Sequence, residues 1–372
     1  MATPDATRIG LLDNLITSPS HQSVEKRIVD YAPLTSLGTF DKEFKLKEEC
    51  KDLKGKRDLN IDHVIYHNLQ LQSMFKNDPP KLLSGEDFTL ITSGGKPVFI
   101  GQGTNGSVLL AQERFSLKLV AVKLIQHENS MTTLAGLLKE YAFQRKGSKI
   151  FMNGKRFVPK AIGILRLKST SPMAQRYCSY MLVSEYCSLA NGLPQSLSLH
   201  TAIKLHKEGR ILFTDKQWEK LCLDILDAVN ALNTNNIYHL DIKPNNIVLQ
   251  FHGHEIWPIL IDYGLSRTST CTIRFSPVPD QETLYPHTAP ELISATHQCF
   301  PLVTSDLYGV SYVIMQINTI LKSFLLDIEL RSYRAMLPAH RQVYLYFREI
   351  IRSHLSSLTS DIIVRTTEEV WV

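Results

Sequence analysis

The sequence predicts an α+β fold in two lobes, with strands concentrated in the first lobe and helices in the second. Between about residues 96 and 187, short extended segments alternate or become apolar as half-buried strands do, for example over residues 117–125. One main helix interrupts these strands, and its apolar residues fall at i, i+3, i+4 and i+7: Leu134, Leu137, Leu138 and Tyr141. After residue 214, apolar stripes at helical spacing dominate. Strands followed by helices indicate two lobes rather than one alternating sheet.

The start of the second lobe carries its own helix signal. Thr214 and Gln217 have the spacing of a capping box, and an apolar stripe follows from Trp218 to Leu232. Two short strands are predicted next, over residues 247–251 and 256–261.

Composition and charge argue against several classes of partner. The 372 residues include 41 Lys and Arg against 36 Asp and Glu, a net charge of +5. This mild excess does not require nucleic acid, and none is expected as a partner. The most apolar long stretch, Tyr308 to Leu326, is interrupted by polar residues and predicts a buried helix rather than a membrane span. Six cysteines without a C-x-x-C pair favour reduced thiols and an intracellular location, cytoplasmic or nuclear.

Residues 1–85 differ from the rest and are interpreted as an N-terminal extension, with the main domain at 86–372. Charges of both signs nearly cancel between Asp41 and Asp58, which is typical of a solvated face or a mobile arm. The chain breakers Asn77 to Pro80 precede the boundary. The extension could bind a partner or be inert, and composition does not decide between the two.

A glycine-rich segment, Gly101-Gln102-Gly103-Thr104-Asn105-Gly106, allows backbone N–H groups to approach phosphate oxygens. The same pattern occurs in tight hairpins and in dinucleotide sites. A dinucleotide site needs a helix directly after the glycines, whereas Val108 to Ala111 reads as a strand. The pattern therefore favours a hairpin that folds over phosphates.

Charged and amide side chains then follow in three separate places. Lys123 ends an apolar strand, where a lysine is usually an edge charge facing water. Alternatively, Lys123 could bind two phosphates while Glu140 forms an ion pair with it. Asp241 and Asn246 lie five residues apart in a loop that also contains Lys243. This spacing would allow one side chain to contact a hydroxyl nucleophile while the other binds a divalent cation. Asp262 closes a later apolar strand and offers a carboxylate to Mg²⁺.

Taken in order, these segments resemble the eukaryotic-type protein kinase family. The resemblance covers roughly residues 90 to 372 and rests on six motifs: the glycine loop, Val120-Ala121-Val122-Lys123, the loop from His239 to Asn246, Asp262-Tyr263-Gly264, Ala289-Pro290-Glu291, and Asp306 at the head of a helix. It implies a bilobal protein-kinase-like fold with an N-lobe at about 86–187 and a C-lobe at about 188–372. The late segment around Arg365 also resembles the family, and its arginine would pair with Glu291.

The resemblance implies a nucleotide site for ATP. Its glycines Gly101, Gly103 and Gly106 would cover the phosphates, Val108 and Ala121 would sandwich the adenine, and Lys123 would hold the α- and β-phosphates while paired with Glu140. Ser184 would be the gatekeeper, and backbone groups from Glu185 to Cys187 would meet the adenine.

The resemblance also implies the chemistry. Asp241 would accept or orient the substrate hydroxyl proton, Lys243 would stabilise the γ-phosphate, and Asn246 and Asp262 would bind Mg²⁺. The Asp-Ile-Lys-Pro-x-Asn form of the loop is similar to that of Ser/Thr kinases. The function expected is therefore a protein serine/threonine kinase acting on protein substrates, with a pseudokinase scaffold or a small-molecule phosphotransferase as alternatives.

Three departures from the family pattern qualify this reading. Leu240 replaces the arginine that normally receives an activation-loop phosphate, so activity is predicted not to require that phosphate. Tyr263 replaces a phenylalanine and adds a hydroxyl that needs a partner if buried. Residues 283–288 do not follow the family pattern. A chain that departs from the family at these positions but keeps the predicted catalytic residues is similar to kinases encoded by large DNA viruses, such as herpesviruses.

Overall fold

The computed structural model describes residues 29–33, 60–103, 106–125, 131–166, 180–188, 196–252, 255–270, 286–289, 292 and 303–318. The fold is the predicted bilobal α+β arrangement. Its described strands, in chain order, are β1 (Val29–Pro33), β2 (Leu82–Ser84), β3 (Phe88–Ser93), β4 (Lys96–Pro97), β5 (Phe99–Gly103), β6 (Gly106–Glu113), β7 (Leu119–Leu124), β8 (Phe151–Met152), β9 (Lys155–Arg156), β10 (Ala161–Arg166), β11 (Tyr180–Glu185), β12 (Leu197–Ser198), β13 (Ile247–His252) and β14 (Glu255–Leu260). The described helices are α1 (Ile61–Tyr66), α2 (Leu69–Phe75), α3 (Met131–Gly147), α4 (Leu199–Lys207), α5 (Asp215–Thr234) and α6 (Val303–Asn318).

One sheet forms the N-lobe. Its strands lie in the order β1-β3-β6-β7-β11-β10-β2, with β4 added beside β3 and β5 beside β6. Along β7 the side chains alternate as the period of a strand requires, so Val120, Val122 and Leu124 are buried in the sheet core. Ala121 and Lys123 consequently lie on the opposite face, which is the face that borders the cleft described below.

Helix α3 packs against this lobe through the predicted apolar positions. All four are buried: Leu134, Leu137, Leu138 and Tyr141. Their cluster includes Ile164 and Leu182 from the sheet, so the helix is fixed by apolar burial on that side.

Part of the predicted N-terminal extension also contributes to the N-lobe. β1 pairs antiparallel with β3, and β2 pairs parallel with β10. Helices α1 and α2 pack on α3 through buried apolar residues such as Leu71 and Phe75. The domain boundary at residue 85 remains a prediction, and the charged segment 41–58 lies outside the described residues.

The C-lobe is built around α5. The predicted capping box is present, since the Gln217 N–H donates to Thr214 Oγ1 at 3.3 Å and the Thr214 N–H donates to Gln217 Oε1 at 2.9 Å. Trp218 and Ile225 on the apolar stripe are fully buried. The antiparallel sheet β12-β13-β14 packs beside this helix, and its strands carry the loops that reach the cleft.

The stretch predicted as a buried helix begins within α6. Val310, Val313 and Ile317 of α6 are fully buried in the C-lobe core. Residues 319–326 of that stretch lie outside the described residues. Across the part of the chain that the structure describes, no helix has the length and apolar character needed to cross a bilayer.

Candidate active site

A cleft of about 1280 Å³ brings together the side chains that the sequence singles out. The predicted site residues along it are Gly101, Gly106, Val108, Ala121, Lys123, Glu140, Glu185, Cys187, Asp241, Lys243, Asn246 and Asp262. Gly103 belongs to the same strand as Gly101, β5. Ser184, the predicted gatekeeper, lines it too. Residues more than 100 positions apart along the chain therefore share one concave surface, although their roles remain predictions.

The glycine segment forms the predicted hairpin, because β5 and β6 pair antiparallel around it. At Gly106 φ is +152°, and an added Cβ would lie 2.1 Å from the carbonyl oxygen of Leu124 on β7. Only glycine fits this close approach without moving the backbone. This end of the hairpin thereby lies against β7 at Leu124, the residue after Lys123.

Lys123 makes two partly buried ion pairs. Its Nζ donates to Glu140 Oε1 at 2.7 Å and to Asp262 Oδ1 at 2.8 Å. Burial alone would lower the pKa of Lys123, but the two carboxylates outweigh it and hold that pKa above its ordinary value. Burial raises the pKa of Glu140, and the ammonium opposes that rise. The lysine is therefore a fixed positive charge that joins α3 to the strand end at Asp262.

Asp241 receives hydrogen bonds on both carboxylate oxygens. Lys243 Nζ lies 2.8 Å from Oδ1 and 2.9 Å from Oδ2, and Asn246 Nδ2 donates to Oδ2 at 2.7 Å. His287 Nε2 lies 2.9 Å from Oδ1. Burial would raise the pKa of Asp241, but the His287 hydrogen bond and the Lys243 charge outweigh it and lower that pKa. The carboxylate is thus held ionised in one orientation.

The backbone of the loop that carries Asp241 is anchored by a buried acid, Asp306 of α6. The N–H groups of His239 and Leu240 donate to its two oxygens at 2.8 and 2.7 Å, and Asn233 Nδ2 donates at 2.8 Å. Leu240 adopts a left-handed φ of 65°, which is uncommon for a non-glycine residue. The bonds to Asp306 maintain this conformation and set the direction in which Asp241 projects.

Leu240, which replaces the family's arginine, has an apolar environment. Its side chain is buried in a cluster with Tyr238, Ala289, Leu292 and Tyr308. The cluster joins the loop before Asp241 to residues 289 and 292 and to α6. Apolar packing therefore occupies the position where a charged side chain would otherwise lie.

Tyr263 is 1% exposed and its ring lies 4.8 Å from that of His239. Among the described residues, its hydroxyl has no hydrogen-bond partner. Burial raises the pKa of this hydroxyl well above its ordinary value. The hydroxyl that the sequence predicts to need a partner if buried thus has none in the described part of the chain.

Asn246 and Asp262 suit a divalent cation by their donor chemistry. Asn246 uses Nδ2 for its bonds to Asp241, which leaves its amide oxygen to act as a ligand. Asp262 uses Oδ1 for its bonds to Lys123 and Gly264, which leaves Oδ2. Mg²⁺ commonly binds one or two oxygen ligands from a protein, while phosphate oxygens and waters complete its coordination sphere. The described residues contain no cluster of three or more His, Cys, Asp or Glu able to hold a metal by themselves.

Glu185 at the start of the predicted hinge is fixed by its own contacts. Its N–H donates to the Lys160 carbonyl at 2.9 Å, and its carboxylate accepts from the Lys160 N–H at 3.1 Å. Arg156 lies 3.3 Å from the same carboxylate. Because this carboxylate is engaged by Arg156 and the Lys160 N–H, a contact between Glu185 and a nucleotide would come from its backbone.

His287 is a site residue that was not predicted from the sequence. It is 8% exposed, lines the cleft and contacts the carboxylate of Asp241. Its position two residues before Ala289 in a segment that departs from the family pattern is the one signal that could have identified it. Glu291 and Arg365, predicted to pair, lie outside the described residues.

Comparison with known proteins adds independent information. Residues 96–363 match the family described as "Protein kinase domain". The serine/threonine-protein kinase RIM15 of Saccharomyces cerevisiae is 26% identical over 252 residues, which cover 65% of this chain and 12% of that protein. The serine/threonine-protein kinase PkaA of Streptomyces coelicolor is 26% identical over 225 residues, which cover 59% of this chain and 37% of that protein. The chain thus spans well under two thirds of the length of either relative.

Proposed function

The chain belongs to the protein kinase domain family, and from this premise we propose that it is an active serine/threonine kinase that transfers the γ-phosphate of ATP to a hydroxyl of a protein substrate. The observation that carries the proposal is the pairing of Lys123 with both Glu140 and Asp262 in the cleft that also contains Asp241. In phosphoryl transfer by kinases, the lysine pair and the metal-binding aspartate must both be in place. Here one ammonium joins them.

The proposed mechanism relies on positioning and charge rather than on covalent chemistry. Lys123 would hold two phosphates, and Asp241 would accept a hydrogen bond from the substrate hydroxyl and orient it toward the γ-phosphate. Lys243, now 2.8 Å from Asp241, would turn to the transferring phosphate and release a lone pair for that hydroxyl. Asn246 and Asp262 would hold Mg²⁺, which supplies charge neutralisation when bound.

The serine/threonine preference is supported by Lys243, which the loop carries two residues after Asp241. The ammonium of Lys243 contacts the carboxylate of Asp241 and so places a positive charge where the γ-phosphate would be transferred. Phosphoamino-acid analysis of a modified generic protein tests this preference. Phosphoserine and phosphothreonine are expected, and phosphotyrosine as the main product would contradict it.

The alternative proposal, a catalytically weak or inactive scaffold, has one observation in its favour. Lys243, Asn246 and His287 together occupy both oxygens of Asp241, so a substrate hydroxyl must displace one of them. Nucleotide binding does not separate the two proposals, whereas phosphate transfer does.

The test is transfer of radiolabelled phosphate from ATP to generic protein substrates with Mg²⁺ or Mn²⁺. Wild type is expected to label the substrates, and Asp241→Asn and Lys123→Met are expected to abolish labelling. Lys118→Met is the matched control, because Lys118 is exposed on the turn between β6 and β7 and should leave labelling unchanged. Absence of transfer by wild type with either cation would favour the scaffold.

Activity independent of an activation-loop phosphate forms part of the proposal. The apolar cluster around Leu240 supports it, because that cluster joins the catalytic loop to residues 289 and 292 without a phosphate. Mass spectrometry before and after phosphatase treatment is the test. Unchanged transfer by the dephosphorylated protein is expected, and loss of transfer would contradict this part.

The setting of the activity is also proposed. An intracellular location, cytoplasmic or nuclear, is supported by Cys187 and Cys222, which are unpaired and buried. An origin in a large DNA virus, with action in the host cell, rests on the drift at residues 283–288. Microscopy of the tagged full chain tests the location, and a secreted product would contradict it.

A further inference from the structure

A segment outside the matched family region contacts the helix that carries Glu140. Helices α1 and α2 precede residue 96, where the family match begins. Their apolar residues Ile61, Val64, Leu71 and Phe75 are buried in one cluster with the apolar face of α3. The rings of Phe75 and Tyr141 stack at 6.2 Å, and Tyr141 directly follows Glu140. The segment therefore packs against the turn of α3 that carries the partner of Lys123.

Polar contacts fix the same helix from the connection after α2. Arg145 of α3 donates to the carbonyl oxygens of Asp78 and Pro79, each at 2.9 Å, and forms an ion pair with the Asp78 carboxylate. The hydroxyl of Tyr141 accepts from the Lys81 N–H at 3.3 Å. A guanidinium bound to two carbonyls is held in a defined geometry that a single surface charge would not give.

The far end of the segment is fixed to the sheet. β2 pairs parallel with β10, and the Ile164 N–H donates to the Lys81 carbonyl at 2.8 Å. The segment is thus bound at one end to the sheet that contains Lys123, with β10 and β11 lying between β2 and the strand of Lys123. Along its length it is bound to α3. This arrangement resists movement of α3 relative to the sheet.

We propose that residues 60–84 are a built-in positioning element that holds α3 where Glu140 pairs with Lys123, so that the chain needs no separate protein to place this helix. The proposal rests on the proposed kinase function, since it concerns the ion pair that transfer requires. The positioning residues are Phe75 of this element and Arg145 of α3, which binds its carbonyl oxygens. Neither lines the cleft, so they act through Glu140 rather than on a substrate.

The experiment measures kcat, KM for ATP and melting temperature of the full chain. Phe75→Ala removes the ring that stacks on Tyr141, and we expect kcat to fall roughly tenfold to a hundredfold, as a displaced catalytic group would cause. Phe88→Ala is the matched control, because Phe88 is also buried in the N-lobe but belongs to a cluster without α3. It should lower the melting temperature similarly and change kcat little. Phe75→Leu should restore most of the activity.

A double variant separates positioning from general destabilisation. If Phe75 acts through Glu140, Phe75→Ala should lower kcat little further in a Glu140→Gln background. Additive losses, or equal losses in Phe75→Ala and Phe88→Ala, would overturn the proposal. If Phe75→Ala does not fold, Arg145→Met replaces it, since its contacts lie at the partly exposed edge of the segment.

Hydrogen exchange of residues 131–147 tests, independently of catalysis, whether residues 60–84 position α3. Phe75→Ala should speed exchange of α3 while Phe88→Ala does not. Unchanged exchange would overturn the positioning role, even if wild type transfers no phosphate and the kinase proposal fails separately.

Discussion

Replacing His287 tests how the orientation of Asp241 contributes to transfer. The His287→Leu variant removes the donor 2.9 Å from Asp241 Oδ1 and keeps an apolar side chain of similar reach. A hydrogen bond to a charged group is worth about 1.5–3 kcal/mol, and 1.4 kcal/mol corresponds to about a tenfold change in rate. Because Lys243 and Asn246 still bind the carboxylate, we expect a loss near the lower limit, with kcat reduced about tenfold and KM for ATP little changed.

The pH dependence gives a second readout of the same variant. The pKa of Asp241 lies below its ordinary value because the His287 hydrogen bond and the Lys243 charge outweigh burial. A carboxylate with a lowered pKa contributes stability that is present above its unfolded pKa, about 3.9, and is lost as pH falls through the folded value. Removing the His287 donor raises the pKa of Asp241. The acidic limb of kcat should therefore move to higher pH.

The assay is steady-state transfer from ATP over a pH range that begins below the ordinary pKa of an aspartate, about 3.9, with His287→Gln as the matched control. Glutamine keeps an N–H donor at about the position of Nε2 and should restore most of kcat. Equal losses in the leucine and glutamine variants, or an acidic limb that does not move, would refute the positioning argument.

Three further predictions concern stability. Tyr263→Phe removes a buried hydroxyl without a described partner, so the free energy of unfolding in urea should rise by about 1–3 kcal/mol, and a decrease would indicate a partner beyond the described residues. Gly106→Ala places a Cβ 2.1 Å from the Leu124 oxygen and should lower the melting temperature. Gly101→Ala is the control, because its Cβ would meet nothing closer than 3.7 Å and should leave the melting temperature unchanged. Equal shifts of the melting temperature in the two variants would contradict this prediction. Asp306→Ala leaves two buried backbone N–H groups unpaired and should cost about 3 kcal/mol or more in urea unfolding, so a loss under about 1 kcal/mol would contradict the anchoring role.

Much of the cleft could be predicted because its chemistry demands particular residue types at particular places. Lys123 at the end of an apolar strand, Asp241 with Asn246 five residues on, and Asp262 closing another strand are visible in the sequence alone. Glu140 could be chosen from its place on a helix whose apolar period was clear. The structure then brings Lys123 within 2.8 Å of both carboxylates.

Other features could not be predicted, for physical reasons. His287 reaches Asp241 across 46 residues from a segment without a recognisable pattern. Arg145 binds carbonyl oxygens of Asp78 and Pro79, and every residue has such an oxygen, so no residue type indicates the contact. The breakers near Pro79 predict a domain boundary, which remains a prediction. Breakers of this kind do not indicate which surface the preceding residues pack on. Tertiary contacts of this kind depend on where the backbone passes.

A crystal structure of the full chain with Mg²⁺ and a non-hydrolysable ATP analogue is the most direct test of the central claim. We predict a cation bound by Asn246 and Asp262, with Lys123 Nζ within hydrogen-bond distance of an α- or β-phosphate oxygen. An analogue bound elsewhere, or Lys123 turned away from the phosphates while the cation contacts neither residue, would contradict the account.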